Sequence, residues 1–216
     1  MMDRRRLLMT AALGGAFATS GAARAFAQGV GAQAAAPAAG PASAQFLALL
    51  DKIAQEMILS DPETLTALGM DRGPMAAARF KLSDRSQAKI DADKVKFIDG
   101  MKAVKAIDKA QLTPTEQTYY DSLEFFGDTV QEGYGFPYGG GMFPSPYTVS
   151  QLGGAYQQIP DFLDSQHRIE AADDADAYLS RLSDFAKGLD AERERMLSDF
   201  AAGAVPPDFV IDRTLT

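Results

Sequence analysis

From Phe46 onward the apolar residues of this chain recur every three or four positions, and that spacing constrains its fold more than any other feature. Phe46, Leu49, Leu50, Ile53 and Met57 share one face of a helix predicted from Ala44 to Leu59, with Asp51, Lys52, Gln55 and Glu56 opposite. Asp61-Pro62-Glu63 offers a capping side chain, a proline at the first helical position and an acid in the first turn, so a short helix starts there and Gly69 ends it. Met70 to Lys81 shows no period and reads as a loop. A long helix is predicted to begin after Ser83 or Asp84 and to reach about Ile107. It buries Ile90, the stem of Lys94, Phe97, Met101 and Val104, with Gly100 as its weak point. Thr113-Pro114-Thr115-Glu116 is a capping box, starting a helix that ends near Gly133 with Tyr119, Leu123, Phe126 and Val130 inward. A last long helix follows Asp173-Asp174, lined by Tyr178, Leu182, Phe185, Leu189, Met196 and Phe200. Gly203 closes it before Pro206-Pro207. The expected class is all-α: an irregular multi-helix bundle over residues 45–216, interrupted by one Gly/Pro/aromatic loop.

That loop lies within Tyr134 to Arg168. Its first part, Tyr134-Gly-Phe-Pro-Tyr138-Gly-Gly-Gly141-Met-Phe-Pro-Ser-Pro146-Tyr147, excludes regular helix, while its aromatics still favour burial. It reads either as an irregular connection over the helical core or as the wall of a cleft.

The first 27 residues read as an address. Arg4, Arg5 and Arg6 precede an uncharged run from Leu7 to Ala23, and Ala25-Phe26-Ala27 is a small-x-small cleavage signal that leaves Gln28 first. Consecutive arginines before Leu7-Leu8 resemble a twin-arginine motif, with Arg4 and Arg5 as the pair and Ala25 and Ala27 at the cut. The expected partner is then the twin-arginine translocase and the destination periplasmic or secreted. The run is shorter than the roughly 20 apolar residues that span a bilayer, so no stable membrane anchor is expected. Residues 28–44 are rich in Ala, Gly and Pro without charge, and read as a disordered linker.

Composition narrows the chemistry. The whole chain carries a net charge of −8, and −11 once the signal is set aside, which disfavours nucleic acid as a partner. No cysteine is present, excluding disulfides and thiolate chemistry. The single histidine, His167, cannot supply a site needing two or three. Combined with Ser150, Ser165 or Asp164 it would make a hydrolase triad, but there is no Gly-x-Ser-x-Gly elbow, and a surface or loop-capping role is the simpler reading. Tyr138 to Gly141 reads as a turn rather than a phosphate loop. Asp173, Asp174 and Asp176 need only the helix dipole rather than calcium. Glu192-Arg193-Glu194-Arg195 reads as a solvated helical face. No catalytic, cofactor or metal constellation is complete.

Several segments carry a family resemblance. These are Phe136-Pro137-Tyr138-Gly139, Ser150-Gln151-Leu152-Gly153-Gly154-Ala155-Tyr156-Gln157, Ile159-Pro160-Asp161-Phe162-Leu163, the helix from Ala177 through Leu182, and Val205-Pro206-Pro207-Asp208-Phe209-Val210-Ile211-Asp212. In order and spacing the stretch from Phe46 to Thr216 resembles the N-terminal part of the bacterial family known as domain of unknown function 885. The resemblance implies a much longer, mainly helical protein similar to zinc metallopeptidases, with a His-Glu-x-x-Pro-Gly-His-His motif in its C-terminal half. None of those motif residues occurs here. The resemblance therefore implies an exported N-terminal fragment of a metallopeptidase-like hydrolase, not catalytic alone and holding no zinc itself. The parent would take a peptide-like small substrate. The loop from Tyr134 to Tyr156 is the candidate cleft wall, with Tyr138, Gln151 and Tyr156 as its candidate contacts. A free-standing periplasmic helical binding module is the alternative.

Overall fold

A computed structural model describes residues 40–139 and 145–215, excepting the side chain of Thr214. Arg4, Arg5, Ala25 and Ala27, with residues 28–39 of the linker, lie outside the described residues; residues 41–44, expected to be disordered, are helical. The described chain is predominantly helical. In order it comprises α1 (Pro41–Leu59), α2 (Pro62–Ala67), a 3-10 helix (Gly73–Phe80), α3 (Gln87–Lys105), a 3-10 turn (Lys109–Gln111), α4 (Pro114–Gly133), α5 (Ala155–Ser165), α6 (Ala172–Ala201) and α7 (Asp208–Leu215). The all-α expectation holds, and α7 is the element that Pro206-Pro207-Asp208 introduces. No described helix is long and apolar enough to cross a membrane.

Two clusters organise the packing. In the first, Phe46 of α1 meets Val104, Ile107, Leu112 and Tyr120 from α3, α4 and the turn between them. In the second, Leu82, Ala155, Ile159 and Leu163 pack with Phe162, Tyr178 and Phe185, seating α5 on α6. Helix α2 and the 3-10 helix bridge the two groups.

Helix α1 starts at Pro41, three residues before the predicted boundary, because Pro41 is pre-shaped for the first turn and Ser43 has a buried partner. Ser43 Oγ donates to Glu116 Oε1 at 2.5 Å, while Glu116 Oε2 accepts the Thr113 N–H at 2.9 Å. The capping box is thus present, and its acid is buried as well. That burial turns α4. Tyr120 points inward and Tyr119 outward, correcting the assignment of Tyr119 to the core. Met57 is likewise exposed. Between Met70 and Lys81 the expected loop is a 3-10 helix, entered through Gly73 at φ +56° and Pro74. A short three-fold turn needs no 3.6-residue pattern, so periodicity could not register it. Helix α3 begins at Gln87, with Ser86 as its cap, rather than after Ser83 or Asp84.

Helix α6 departs furthest from its sequence pattern. Its buried positions are Ala177, Arg181, Gly188, Glu192 and Asp199. Leu182, Leu189, Met196 and Phe200 are exposed, and of the predicted stripe only Tyr178 and Phe185 enter the core. Periodicity identifies an apolar face; it does not say that a neighbour lies against it.

Candidate functional site

The polar face of α6 holds the Gly/Pro/aromatic loop at both ends. At the near end, Asp199 is 7% exposed. Its Oδ1 accepts the Gly139 N–H at 3.0 Å and its Oδ2 accepts the Thr148 hydroxyl at 2.6 Å. Arg195 Nη2 donates to the Gly139 carbonyl at 3.3 Å, and burial pushes the Arg195 guanidinium below its ordinary value. Gly139 has φ +67°, and a Cβ there would lie 1.8 Å from the Ser145 carbonyl oxygen. Only glycine fits. At the far end, Glu192 is 4% exposed. Its Oε2 accepts the first helical N–H of α5, from Ala155, at 2.7 Å. Carboxylates are favoured at that helix terminus. Its Oε1 accepts from Arg85 Nη1 at 2.8 Å. The reading of Glu192 to Arg195 as a solvated face is corrected for Glu192, which is buried, and for Arg195, which is half-buried.

The three candidate contact residues fall on this clamped segment in different settings. Tyr138 is half-buried and its ring lies 5.7 Å from that of Phe136. Gln151 is exposed. Tyr156 is half-buried and its hydroxyl donates to the Ser150 carbonyl at 2.8 Å, closing the turn across the Ser150–Gly153 bridge. Residues 140–144 lie outside the described residues.

Arg181 is the largest fully buried side chain. Its Nε donates to the Lys81 carbonyl at 3.0 Å, and its Nη2 to Thr66 Oγ1 at 2.6 Å and the Ala78 carbonyl at 3.2 Å. Nη1 lies 2.7 Å from His167 Nδ1. A guanidinium only donates, so Nδ1 accepts, and Nε2 carries the hydrogen given to the Asp174 carbonyl at 2.8 Å. The Arg181 charge is balanced at one remove. Thr66 Oγ1 donates onward to Asp71 Oδ2 at 2.9 Å, and Arg79 joins Asp71 at 3.1 Å to Asp174 at 2.7 Å. Burial pushes the Arg181 guanidinium below its ordinary value, against the opposing pull of Asp71 and Glu63. His167 is buried, which corrects the surface alternative for it, while its bond to the Asp174 carbonyl is a local capping contact. Both ring nitrogens are occupied, so it forms no triad with Ser150, Ser165 or Asp164. Asp174 caps α6 by accepting the Glu170 and Ala171 N–H groups, both at 2.9 Å, as acids at that terminus suggest.

A cleft of about 240 Å³ opens beside this network, lined by Asp61, Glu63, Ser83, Arg85, Gln158, Ile159 and Phe162. Asp61 caps α2 through the Glu63 and Thr64 N–H groups, at 3.1 and 3.3 Å. Glu63 accepts the Ser83 N–H at 3.0 Å and the Ser83 hydroxyl at 2.6 Å. The two carboxyls are pushed apart. Burial holds Glu63 above the usual carboxylate range. In Asp61 burial is outweighed by hydrogen bonds, first from the Thr64 side chain, which hold it below that range. No group of three or more His, Cys, Asp or Glu among the described residues is placed to hold a metal ion.

The sequence signalled Asp61 and Glu63 only as helix-start residues, and Arg181, Arg85 and Asp199 not at all. Their tertiary partners stand from 14 positions away, for Arg181 with His167, to 115, for Arg181 with Thr66, and no local pattern encodes such pairs.

The fold and these clusters define an all-helical scaffold that fixes loops through buried charged side chains. The chain belongs to the family described as "Bacterial protein of unknown function (DUF885)", which matches residues 62–216. No curated protein and no solved structure matches it.

Proposed function

We propose that this chain is the exported N-terminal helical part of a metallopeptidase-like hydrolase, sent out through the twin-arginine route and not catalytic alone. One observation carries the reading. Leu182, Leu189, Met196 and Phe200 form an exposed apolar stripe along α6, beside the buried, largely polar face that carries Arg181, Glu192 and Asp199. Such a stripe on a folded domain marks a surface that another element covers. The zinc-binding half implied by the family resemblance is the element proposed to cover it. The clamped loop from Tyr134 to Tyr156 then serves as one wall of the substrate cleft, with Tyr138, Gln151 and Tyr156 facing a peptide-like substrate. Zinc and the water it activates come from the other half.

The test is association. Residues 28–216 should form a complex with a separately produced family segment carrying the His-Glu-x-x-Pro-Gly-His-His motif. Leu189→Asp with Met196→Asp should abolish it while changing the stability of the free chain by no more than about 0.5 kcal/mol, since both sites are exposed. A complex indifferent to both substitutions would count against the reading. The alternative, a free-standing periplasmic binding module, draws on the carboxylate-lined cleft.

A further inference from the structure

The cleft holds two adjacent carboxyls without a direct ion-pair partner among the described residues, Arg181 acting on Glu63 only at longer range. Among the described residues neither Asp61 nor Glu63 forms an ion pair, although Arg85 lines the same space and pairs instead with Glu192. Their existing partners leave acceptor capacity. Asp61 Oδ2 takes one hydrogen bond, from Thr64 Oγ1 at 2.8 Å, and Glu63 Oε1 takes one, from the Ser83 N–H at 3.1 Å. The facing wall offers donors. Arg85 Nη2 donates to Gln158 Oε1 at 3.0 Å, while Arg85 Nε is buried with no acceptor. With its oxygen engaged, the Gln158 amide has its NH₂ left to give. Ile159 and Phe162 supply apolar surface between the two.

A divalent metal would find two carboxylates and no third ligating side chain. An organic ammonium fits better, because its three N–H donors need only acceptors. At roughly 30 Å³ per water-sized group the cleft holds on the order of eight non-hydrogen atoms, about one amino-acid residue.

We propose that this cleft binds the α-ammonium end of an amino acid or peptide. Asp61 and Glu63 take the ammonium, Arg85 and Gln158 the adjacent carbonyl or carboxylate oxygen, and Ile159 and Phe162 an apolar side chain. The site goes beyond the metallopeptidase reading and does not depend on it. An ammonium is held by the ionised carboxyls, whereas burial, which raises Glu63, opposes that form in the empty cleft. Binding therefore strengthens as pH rises through the carboxyl's titration and weakens again where the ligand amine deprotonates, near pH 8.

The test is calorimetric titration of the full chain at about pH 6.5 with L-leucinamide, L-leucine and N-acetyl-L-leucinamide. The two amines should bind at least about tenfold more tightly than the acetylated compound. Preference for L-leucine would assign a free amino acid, and preference for L-leucinamide a peptide N-terminus; either supports the site. Glu63→Gln should weaken amine binding at least about tenfold. Because Glu63 also anchors Ser83, Gln158→Ala serves as the second variant. Gln158 is exposed, and its loss should weaken binding several-fold without altering the fold. The proposal is overturned if the acetylated compound binds as well as the amines, if none binds at millimolar concentration, or if both variants bind like the parent chain.

Discussion

Replacing Asp199 with alanine removes two hydrogen bonds at once and leaves the Gly139 N–H and the Thr148 hydroxyl without their acceptor. The carboxylate is almost fully buried, and its contacts, at 3.0 and 2.6 Å, are of the charge-assisted kind. Such bonds contribute about 1.5–3 kcal/mol each. Some of the freed donors regain water, so the expected cost is about 3 kcal/mol, roughly a hundredfold in the equilibrium that holds the loop. Folded domains have only about 5–15 kcal/mol in total, so the effect is measurable. Two assays separate local from global loss. Hydrogen exchange at the Gly139 amide should accelerate by about a hundredfold. The urea midpoint should fall by the same free energy if the loop opens only with global unfolding, and by less if it opens first. Asp190→Ala, at an exposed position of the same helix, is the control and should change neither. A Thr148→Val partner variant completes a double-mutant cycle in which the two losses should not add. Unchanged exchange at Gly139 in Asp199→Ala would refute the clamp.

Gly139→Ala should be poorly tolerated. A left-handed backbone costs an L-residue about 1–2 kcal/mol, and here the added methyl also meets the Ser145 carbonyl; limited proteolysis should cut the loop faster than in the parent. The acid side of the stability profile should depend on Glu116. The Ser43 hydroxyl, and after it Thr113, hold its folded carboxyl below the ordinary value, outweighing burial. The unfolded chain then binds the proton more readily. The Glu116 contribution is complete above the unfolded value of about 4.3 and is lost as pH falls through the lower folded value. Urea titrations from neutral to acid pH should show a flatter fall for Glu116→Gln than for the parent. Glu63 has the opposite sign, since burial raises it; its contribution is present below the unfolded value and lost as pH rises through the folded one. Glu63→Gln should therefore flatten the profile on that side in the same titrations.

Helices α1, α2, α3, α4 and α6 were legible in the sequence because their signals are local, whereas α5 falls inside the segment from Tyr134 to Arg168 that reads as irregular. The capping box at Thr113 and Glu116, the Asp61-Pro62 start and the acids at Asp173-Asp174 all do in the structure what their spacing implies. Helix orientation was less legible. Tyr119 and Tyr120 are equally good core residues, and the choice between them follows from Ser43, 73 positions from Glu116, drawing Glu116 inward. The polar machinery was hidden for the same reason. An arginine in a helix reads as surface, and nothing near Arg181 in sequence reveals that Thr66, Ala78, Lys81 and His167 converge on it. The stripe of Leu182, Leu189, Met196 and Phe200 was read correctly as apolar and wrongly as covered. Of the candidate cleft contacts, the sequence could name the segment that carries Tyr138, Gln151 and Tyr156, but not the two carboxylates of α6 that fix its ends.

The most direct measurement is zinc content together with hydrolysis. Residues 28–216 alone should contain no stoichiometric zinc by elemental analysis and should cleave neither peptides nor esters. The same chain joined with the motif-bearing half should do both, and a chelator should stop it. Stoichiometric zinc with chelator-sensitive hydrolysis by residues 28–216 alone would contradict the account.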